Sequence, residues 1–373
     1  MPSVPSSVLR RELRCTVAKR LMRGNEAIGE AAIFAGCRCY FGYPITPQNE
    51  LTEYMARRMT EEGRVFIQSE SELAAINMVL GASAVGARAM TSSSSPGFSL
   101  KQEGISFLAG QELPAVIVNI MRGGPGLGNI APAQSDYFQA TKGGGHGDYH
   151  TIVLAPSSGQ EMVDLTIEAF RLADLYRNPA IILGDGMLGQ MMEPVVFPEH
   201  MEKTEFPKEY ALTGAKGRPG RFICSLILDT KEMEDHNWKL FRKYELIEKR
   251  EVRYKTFKLE DADLAVVAYG TAARIAKGAI KRVREEGLKV GLIQPITLWP
   301  FPSQFIRKTS RRIKDFFVFE MSTGQMVYDV KLALEGEGRV YFHGRPGGIV
   351  TTPLELSRII SRHYYQVKKG KEK

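Results

Sequence analysis

A doubly wound α/β domain followed by a second, smaller α/β domain is the architecture this sequence predicts, and three observations predict it. Val- and Ile-rich runs alternate with stretches of helical period from Arg23 to about Val196. The composition then shifts to Pro, Lys, Glu and Tyr with mixed charge through Tyr254, and the alternation resumes at Asp263. Regular strand–helix alternation implies a parallel sheet buried under helices on both faces. The chain is accordingly divided into an N-terminal extension (1–22), a first domain (23–196), a crossover linker (197–260), a second domain (261–366) and a basic tail (367–373).

In the first domain Cys37–Phe41, Val65–Gln68, Arg88–Ser92, Pro114–Met121, Thr151–Ala155 and Pro179–Gly184 read as short buried strands. Asn25–Ala35, Gln48–Met59, Glu72–Val85, Phe98–Gln111 and Gly159–Tyr176 carry apolar residues at helical spacing between them. One connection breaks the rhythm. Arg122–His150 is 29 residues long with eight glycines, and connections of that length are usually functional or disordered, so it is expected to be an active-site or interface loop. Thr91–Ser95 is expected to be a cofactor- or interface-facing loop, or a plain polar turn. The linker holds a helix around Lys231–Arg253. In the second domain Leu264–Tyr269, Val290–Pro295, Phe316–Glu320 and Val340–His343 read as strands, with helices over Ala272–Glu286, Pro302–Ile313, Gln325–Leu334 and Pro353–His363.

The 373 residues, 43% hydrophobic and 25% charged, have an ordinary globular composition. That length allows roughly two to three domains without disulfide staples. No run of 18 apolar residues occurs, and Met1–Arg23 lacks an apolar signal core, so neither a membrane span nor a secretory signal is expected and the chain reads as cytoplasmic. The net charge of +8 is uneven: Met1–Val196 holds 16 basic and 19 acidic residues, Phe197–Lys373 34 and 23. The basic half contains no groove-reading motif, so a solvated or partner-facing surface is expected rather than nucleic acid. Of four cysteines only Cys37 and Cys39 are close, spaced C-x-C. Iron–sulfur and zinc sites use wider pairs, and no cluster or metal is expected on this chain.

Several familiar patterns fail. Gly124-Pro-Gly126-Leu-Gly128 lacks the dinucleotide spacing, His146 and His150 lie among glycines rather than on a helix, and no nucleophile elbow or P-loop occurs. Gly184-Asp185-Gly186 resembles half of the magnesium signature of thiamine diphosphate enzymes, but the Asn expected some 25 residues later is absent. A strand-end turn is its expected role.

Three junctions remain. Tyr43-Pro44-Ile45-Thr46-Pro47 stiffens a turn after a strand, at the sheet edge where α/β proteins bind ligands. Thr46 either presents its hydroxyl there or caps the next helix with Pro47 at its first position. Glu70 and Glu72 fall at the next strand-to-helix junction, where acids complement the helix dipole. The small, apolar helix that follows implies burial, and a buried carboxylate is costly to charge without a partner, which suits an acid–base role. Arg122, at a strand's carboxyl end, is placed to hold a carboxylate or to form a surface ion pair.

With Gly24-Asn-Glu-Ala, Tyr43–Pro47, Ser71-Glu72 nine residues before Gly81, Thr91–Gly97, Met121–Asn129, Tyr210–Gly217 and Gly344–Thr351 together, the chain resembles the alpha-type subunit of the 2-oxoacid:ferredoxin oxidoreductases. The branched-chain type, acting on 2-oxoisovalerate (3-methyl-2-oxobutanoate), is the nearest in pattern, with the 2-oxoglutarate type as alternative. The resemblance implies a thiamine-diphosphate pyrimidine-binding-like domain, then a transketolase C-terminal-like domain. It also implies a hetero-oligomer with a diphosphate-binding beta-type subunit, a gamma-type subunit, and a cluster subunit or ferredoxin. Magnesium and 4Fe-4S clusters would sit on those partners, with coenzyme A as cosubstrate.

By position, Glu72 matches the glutamate that hydrogen-bonds N1′ of the aminopyrimidine, Pro44 the turn beside that ring, and Thr46 and Arg122 the residues engaging the substrate carboxylate. A nucleotide-binding dehydrogenase module and a non-catalytic basic interaction protein are the rivals. The first would bind NAD alone, and the second nucleic acid with steep salt dependence.

Overall fold

The structure, a computed structural model, describes residues 19–199 and 206–371. Residues 1–18 of the N-terminal extension and the last two of the basic tail therefore lie outside the described residues. The first half runs β1 (Arg20–Arg23), α1 (Gly24–Phe34), β2 (Cys39–Gly42), α2 (Asn49–Glu61), β3 (Val65–Gln68), α3 (Glu72–Ala84), β4 (Ala89–Ser93), α4 (Ser95–Leu100), α5 (Gln102–Gly110) and β5 (Ala115–Met121). It continues with α6 (Tyr137–Thr141), β6 (Ile152–Leu154), α7 (Gly159–Tyr176), β7 (Pro179–Asp185), α8 (Gly186–Gln190) and β8 (Met192–Val195). The second half comprises α9 (Thr230–Arg250), β9 (Tyr254–Phe257), β10 (Leu264–Val267), α10 (Gly270–Glu285), β11 (Val290–Pro295) and β12 (Thr297–Trp299). Then come α11 (Ser303–Ser310), β13 (Asp315–Glu320), α12 (Met326–Leu334), β14 (Arg339–Gly344) and α13 (Pro353–Lys371).

A seven-stranded sheet of order β12-β6-β7-β5-β4-β2-β3 forms the first layer, parallel except for β12. Its middle is β5 (AVIVNIM) and β7 (PAIILGD), every residue of which is buried. Helices pack on both faces: α1 lies between α2 and α7 on one, and α3 rests on α5 on the other. Side-chain caps set two of these helices. Ser71 Oγ accepts from the Ala74 amide at 3.2 Å to start α3, and Ser158 Oγ from the Glu161 amide at 3.2 Å to start α7. The second sheet, order β14-β13-β10-β11-β9, is parallel except for its edge strand β9. No described helix is long and apolar enough to cross a membrane.

Several expectations need correction. Thr91–Ser95 is not a loop: β4 covers Ala89–Ser93, is buried throughout, and leads directly into α4. Its hydroxyls are tolerated because several find partners, Ser92 Oγ donating to Gln48 Oε1 at 2.5 Å and pairing with Tyr40 Oη at 2.6 Å. The predicted helix Phe98–Gln111 breaks at the buried Lys101 into α4 and α5.

The boundary between the halves is also less clean than the composition shift. β12 follows β11 of the second sheet yet pairs antiparallel with β6 of the first, and β9, drawn from the linker, completes the second sheet. One apolar cluster accordingly runs from Met22 to Leu334 across both sheets, with a smaller one under α10 and α13. At the ends, Arg20–Arg23 pairs with β8 rather than standing apart as extension, and α13 runs past His363 to Lys371.

Candidate functional site

The order of the first sheet reverses at β2: the chain leaves β2 for β3 on one side and returns to β4 on the other. Open α/β sheets bind ligands at such a switch point, in the crevice at the carboxyl ends of the strands. The β2–α2 turn with Pro44 and Thr46, the β3–α3 junction with Glu72, the β4–α4 junction and Arg122 after β5 all follow carboxyl ends in this region.

Glu72 opens α3 and is buried, while Glu70 is exposed. Ser93 Oγ donates to Glu72 Oε1 at 3.4 Å. No hydrogen bond to a described residue engages Oε2. Gly97 leaves the room beside it: a Cβ there would lie 2.2 Å from both Glu72 Oε1 and Ser93 Oγ. Lys101, fully buried, donates from Nζ to the backbone carbonyl of Glu72 at 3.3 Å. Burial lowers its ammonium to about 7, with the Glu72 charge acting in the opposite sense.

The turn after β2 holds Tyr43 and Pro44 at the surface and Thr46 half-buried. Thr46 is not a helix cap, since α2 begins at Asn49 after Gln48. Gln48 is the hub the sequence did not reveal. Fully buried, it accepts from Thr52 Oγ1 at 3.1 Å and Ser92 Oγ at 2.5 Å, and donates to the Tyr43 carbonyl at 3.1 Å. Asn25 and Gln190 both donate to the Pro47 carbonyl, at 2.8 and 3.0 Å.

Arg122 is 7% exposed and makes no ion pair with a described carboxylate. Its Nη1 donates to the Thr46 carbonyl at 2.9 Å and its Nη2 to the Leu127 carbonyl at 3.0 Å, leaving Nε buried without a partner. The guanidinium thus braces the Thr46 turn against the glycine loop. Its backbone is fixed by Ser95 Oγ, which accepts from the Arg122 amide at 3.0 Å and donates to Asp136 Oδ2 at 2.6 Å. Burial raises the Asp136 carboxyl above the usual aspartate range, against hydrogen bonds from Ser95 and Asn119. Asp136 was absent from the sequence-derived set because nothing in a glycine-rich stretch marks one acid as buried.

The glycine loop is ordered by tight turns and by the second domain. Gly128 has φ +60°, and a Cβ there would sit 1.7 Å from the Gly123 carbonyl oxygen, so only glycine fits. Gln134 accepts from the Met321 amide at 3.0 Å and donates to the Tyr269 carbonyl at 2.9 Å, and Tyr137 Oη donates to Asp329 at 2.5 Å. A cavity of about 410 Å³ lies between the loop and the Met321–Gln325 turn, with Ser95 and Asp136 in its wall.

His146 and His150 are not brought together as a metal pair. His146 is exposed, whereas His150 stacks on Trp299 with centroids 4.6 Å apart. Asp185 of the GDG triplet is fully buried and occupied: it accepts from the Met187, Leu188 and Thr271 amides and from Thr271 Oγ1 at 2.7 Å. It caps α8 and ties it to α10.

Residues 30–256 match the family model of pyruvate flavodoxin/ferredoxin oxidoreductase, thiamine diphosphate-binding, and residues 262–356 that of pyruvate:ferredoxin oxidoreductase core domain II. The chain is 54% identical over 346 residues to the ketoisovalerate oxidoreductase subunit VorB of Methanothermobacter marburgensis, covering 93% of this chain and 97% of that one. It is 40% identical over 318 residues to the 2-oxoglutarate synthase subunit KorA of Archaeoglobus fulgidus, covering 83% and 90%.

Among solved structures, 2-oxoglutarate:ferredoxin oxidoreductase from Magnetococcus marinus, with 2-oxoglutarate, coenzyme A and succinyl-CoA bound, superposes with a TM-score of 0.82 at 27% identity. The match covers 93% of this chain and 65% of that one. A split-gene transketolase in an inactive beta4 tetramer shares the fold, with a TM-score of 0.58 at 14% identity over 91% and 97% of the chains. The chain belongs to the thiamine diphosphate-binding pyruvate flavodoxin/ferredoxin oxidoreductase family, among the subunits of 2-oxoacid:ferredoxin oxidoreductases.

Proposed function

We propose that this chain is the alpha-type subunit of a complex that oxidatively decarboxylates 3-methyl-2-oxobutanoate to the branched-chain acyl-CoA and carbon dioxide, passing the electrons to ferredoxin. The observation that carries the substrate is the identity gap: 54% to a ketoisovalerate oxidoreductase subunit against 40% to a 2-oxoglutarate synthase subunit.

The residues present fit thiamine diphosphate on its aminopyrimidine side. Glu72 is buried with Oε2 open, Ser93 steadies Oε1, and Gly97 leaves a cradle that any Cβ would fill. When bound, the cofactor supplies an electron sink for the carbon that loses carbon dioxide. Glu72 would hold the proton at N1′, and Pro44 would belong to the turn beside the ring. Arg122 and the Thr46 hydroxyl would orient the 2-oxoacid carboxylate, with Arg122 the stronger anchor because of its charge.

Diphosphate, magnesium and the 4Fe-4S clusters belong on the beta-type, gamma-type and ferredoxin-like partners. Two features support this division. Asp185 has its acceptors filled by four donors. Leu73 and Met78 of α3 and Val85 just after it are exposed, as are Val65 and Ile67 of neighbouring β3, apolar surface suited to a partner subunit. The test is kcat/KM for ferredoxin reduction by the purified complex with coenzyme A. Preference for 3-methyl-2-oxobutanoate over 2-oxoglutarate by at least about tenfold, roughly 1.4 kcal/mol, supports the reading, and the reverse preference overturns it.

A further inference from the structure

Within Arg122–His150 the acids are Asp136, which is buried, and Asp148, which is exposed. The mechanism above uses neither. The loop folds back on its own start: Arg122 forms an isolated antiparallel bridge with Pro132, and the Gly123 amide donates to the Ala131 carbonyl at 2.9 Å. That brings the residues after Pro132 beside Arg122. The second domain pins them from the other side, since Gln325 Nε2 donates to the Ser135 carbonyl at 2.6 Å and its Oε1 accepts from the Phe138 amide at 2.7 Å. Asp136 is held between these two ties.

Two uncharged donors converge on one oxygen of its carboxylate. Ser95 Oγ donates to Oδ2 at 2.6 Å and Asn119 Nδ2 donates to it at 2.9 Å. Asn119, fully buried in β5, also accepts at Oδ1 from the Ser95 amide at 3.0 Å, so Ser95, Asn119 and Asp136 close a ring. A serine hydroxyl has a single proton. With that proton committed to Asp136, Ser95 Oγ turns a lone pair on the Arg122 amide, which donates to it at 3.0 Å. Without Asp136 the proton has another acceptor in reach, the Arg122 carbonyl at 3.4 Å, and the hydroxyl is no longer held to one role. Arg122 feels such a change because its guanidinium spans the Thr46 and Leu127 carbonyls, so a shift at its backbone displaces the whole fork.

We propose that Asp136 is a positioning residue for the 2-oxoacid carboxylate: through Ser95 it fixes the backbone of Arg122, and with it the place of the guanidinium that anchors the substrate. This rests on the reading of Arg122 as that anchor.

The experiment is steady-state kinetics of the assembled complex carrying Asp136→Ala, Asp136→Asn or Ser95→Ala. Asp136→Asn keeps an acceptor oxygen for Ser95 and Asn119 and removes only the charge. In both alanine variants KM for 3-methyl-2-oxobutanoate is expected to rise about tenfold, the scale of one charge-assisted hydrogen bond between anchor and substrate. Their kcat should change by less than about threefold and KM for coenzyme A by less than about twofold, because only the carboxylate's anchor has moved. Asp136→Asn should restore KM for the 2-oxoacid to within about threefold of wild type. Adding Asp136→Ala to Arg122→Lys is expected to cost nothing further, since both act on one group.

An unchanged KM for the 2-oxoacid in both alanine variants, with Arg122→Lys raising it, overturns the proposal. So does an equal rise in both Michaelis constants, which marks general loosening, or full additivity with Arg122→Lys. If Asp136→Asn is as impaired as Asp136→Ala, the charge matters rather than the ring of hydrogen bonds, and the proposal fails. An unchanged KM in Arg122→Lys itself would instead remove the underlying reading of Arg122. Should Asp136→Ala not assemble, Ser95→Ala against Asp136→Asn carries the comparison.

Discussion

At the scale of single residues, the site depends on side chains whose polar atoms are mostly committed to the protein. Arg122 shows this most clearly. Two of its donors hold the Thr46 and Leu127 carbonyls, so its removal loosens the turn and the loop together. Arg122→Lys presents a point charge in place of a planar fork and cannot span both carbonyls. It is expected to raise KM for the 2-oxoacid at least about tenfold, or roughly 1.4 kcal/mol of uniform binding, with a smaller change in kcat; steady-state kinetics of the complex with an unchanged KM would contradict this.

Glu161 sets a pH dependence of stability. Burial pushes its carboxyl up, but hydrogen bonds from Lys255 and Ser157 outweigh it and hold the group below the usual glutamate range. Glu30 behaves alike, with Arg20, Tyr54 and Arg58 against its burial. A folded-state value below the unfolded one gives stability that is present above the unfolded value and lost as pH falls through the folded one. Urea midpoints are therefore expected to hold steady down to about pH 5 and to fall below it. In Glu161→Gln that fall should be shallower.

At the scale of elements, the strands and helices with strong periodicity were legible from the residues alone. β5 and β7 are apolar apart from Asn119 and Asp185 because both of their faces are covered. β4 was not legible as a strand through its end, since Thr91-Ser-Ser-Ser has the composition of a turn. The hydroxyls belong in the sheet because Gln48, Tyr40 and Glu72 lie against them, and those partners come from distant parts of the chain. For the same reason Glu72 could be singled out from Glu70 only through the motif spacing, whereas Gln48, Lys101 and Asp136 carried no local signal at all.

The β4–α4 junction also makes a sharp prediction. In Gly97→Ala the new Cβ would overlap Glu72 Oε1, the movable end of a side chain, so the fold is retained while the carboxylate is displaced. A shift of about 1 Å at a reacting group costs about 10²-fold. Turnover of Gly97→Ala should fall by that order with the melting temperature nearly unchanged, and a fully active variant would show that the cradle does not matter.

At the scale of the whole molecule, composition located two sheets but not the way they share elements. Nothing in Thr297–Trp299 announces that a strand following β11 will cross to pair with β6, because strand pairing is decided by packing between distant segments. The domains are joined further by Asp185, whose carboxylate serves α8 and α10 at once. Asp185→Ala leaves those buried donors unpaired and is expected to destabilise the chain by about 3 kcal/mol. A urea midpoint within error of wild type would contradict the role.

We propose that this chain lends a buried carboxylate, Glu72, to a thiamine diphosphate site that partner subunits complete. Turnover of the assembled complex carrying Glu72→Gln, measured as ferredoxin reduction with 3-methyl-2-oxobutanoate and coenzyme A, tests it most directly. Normal assembly with a loss of about 10²- to 10⁴-fold is the predicted result, and assembly with near wild-type turnover would contradict it.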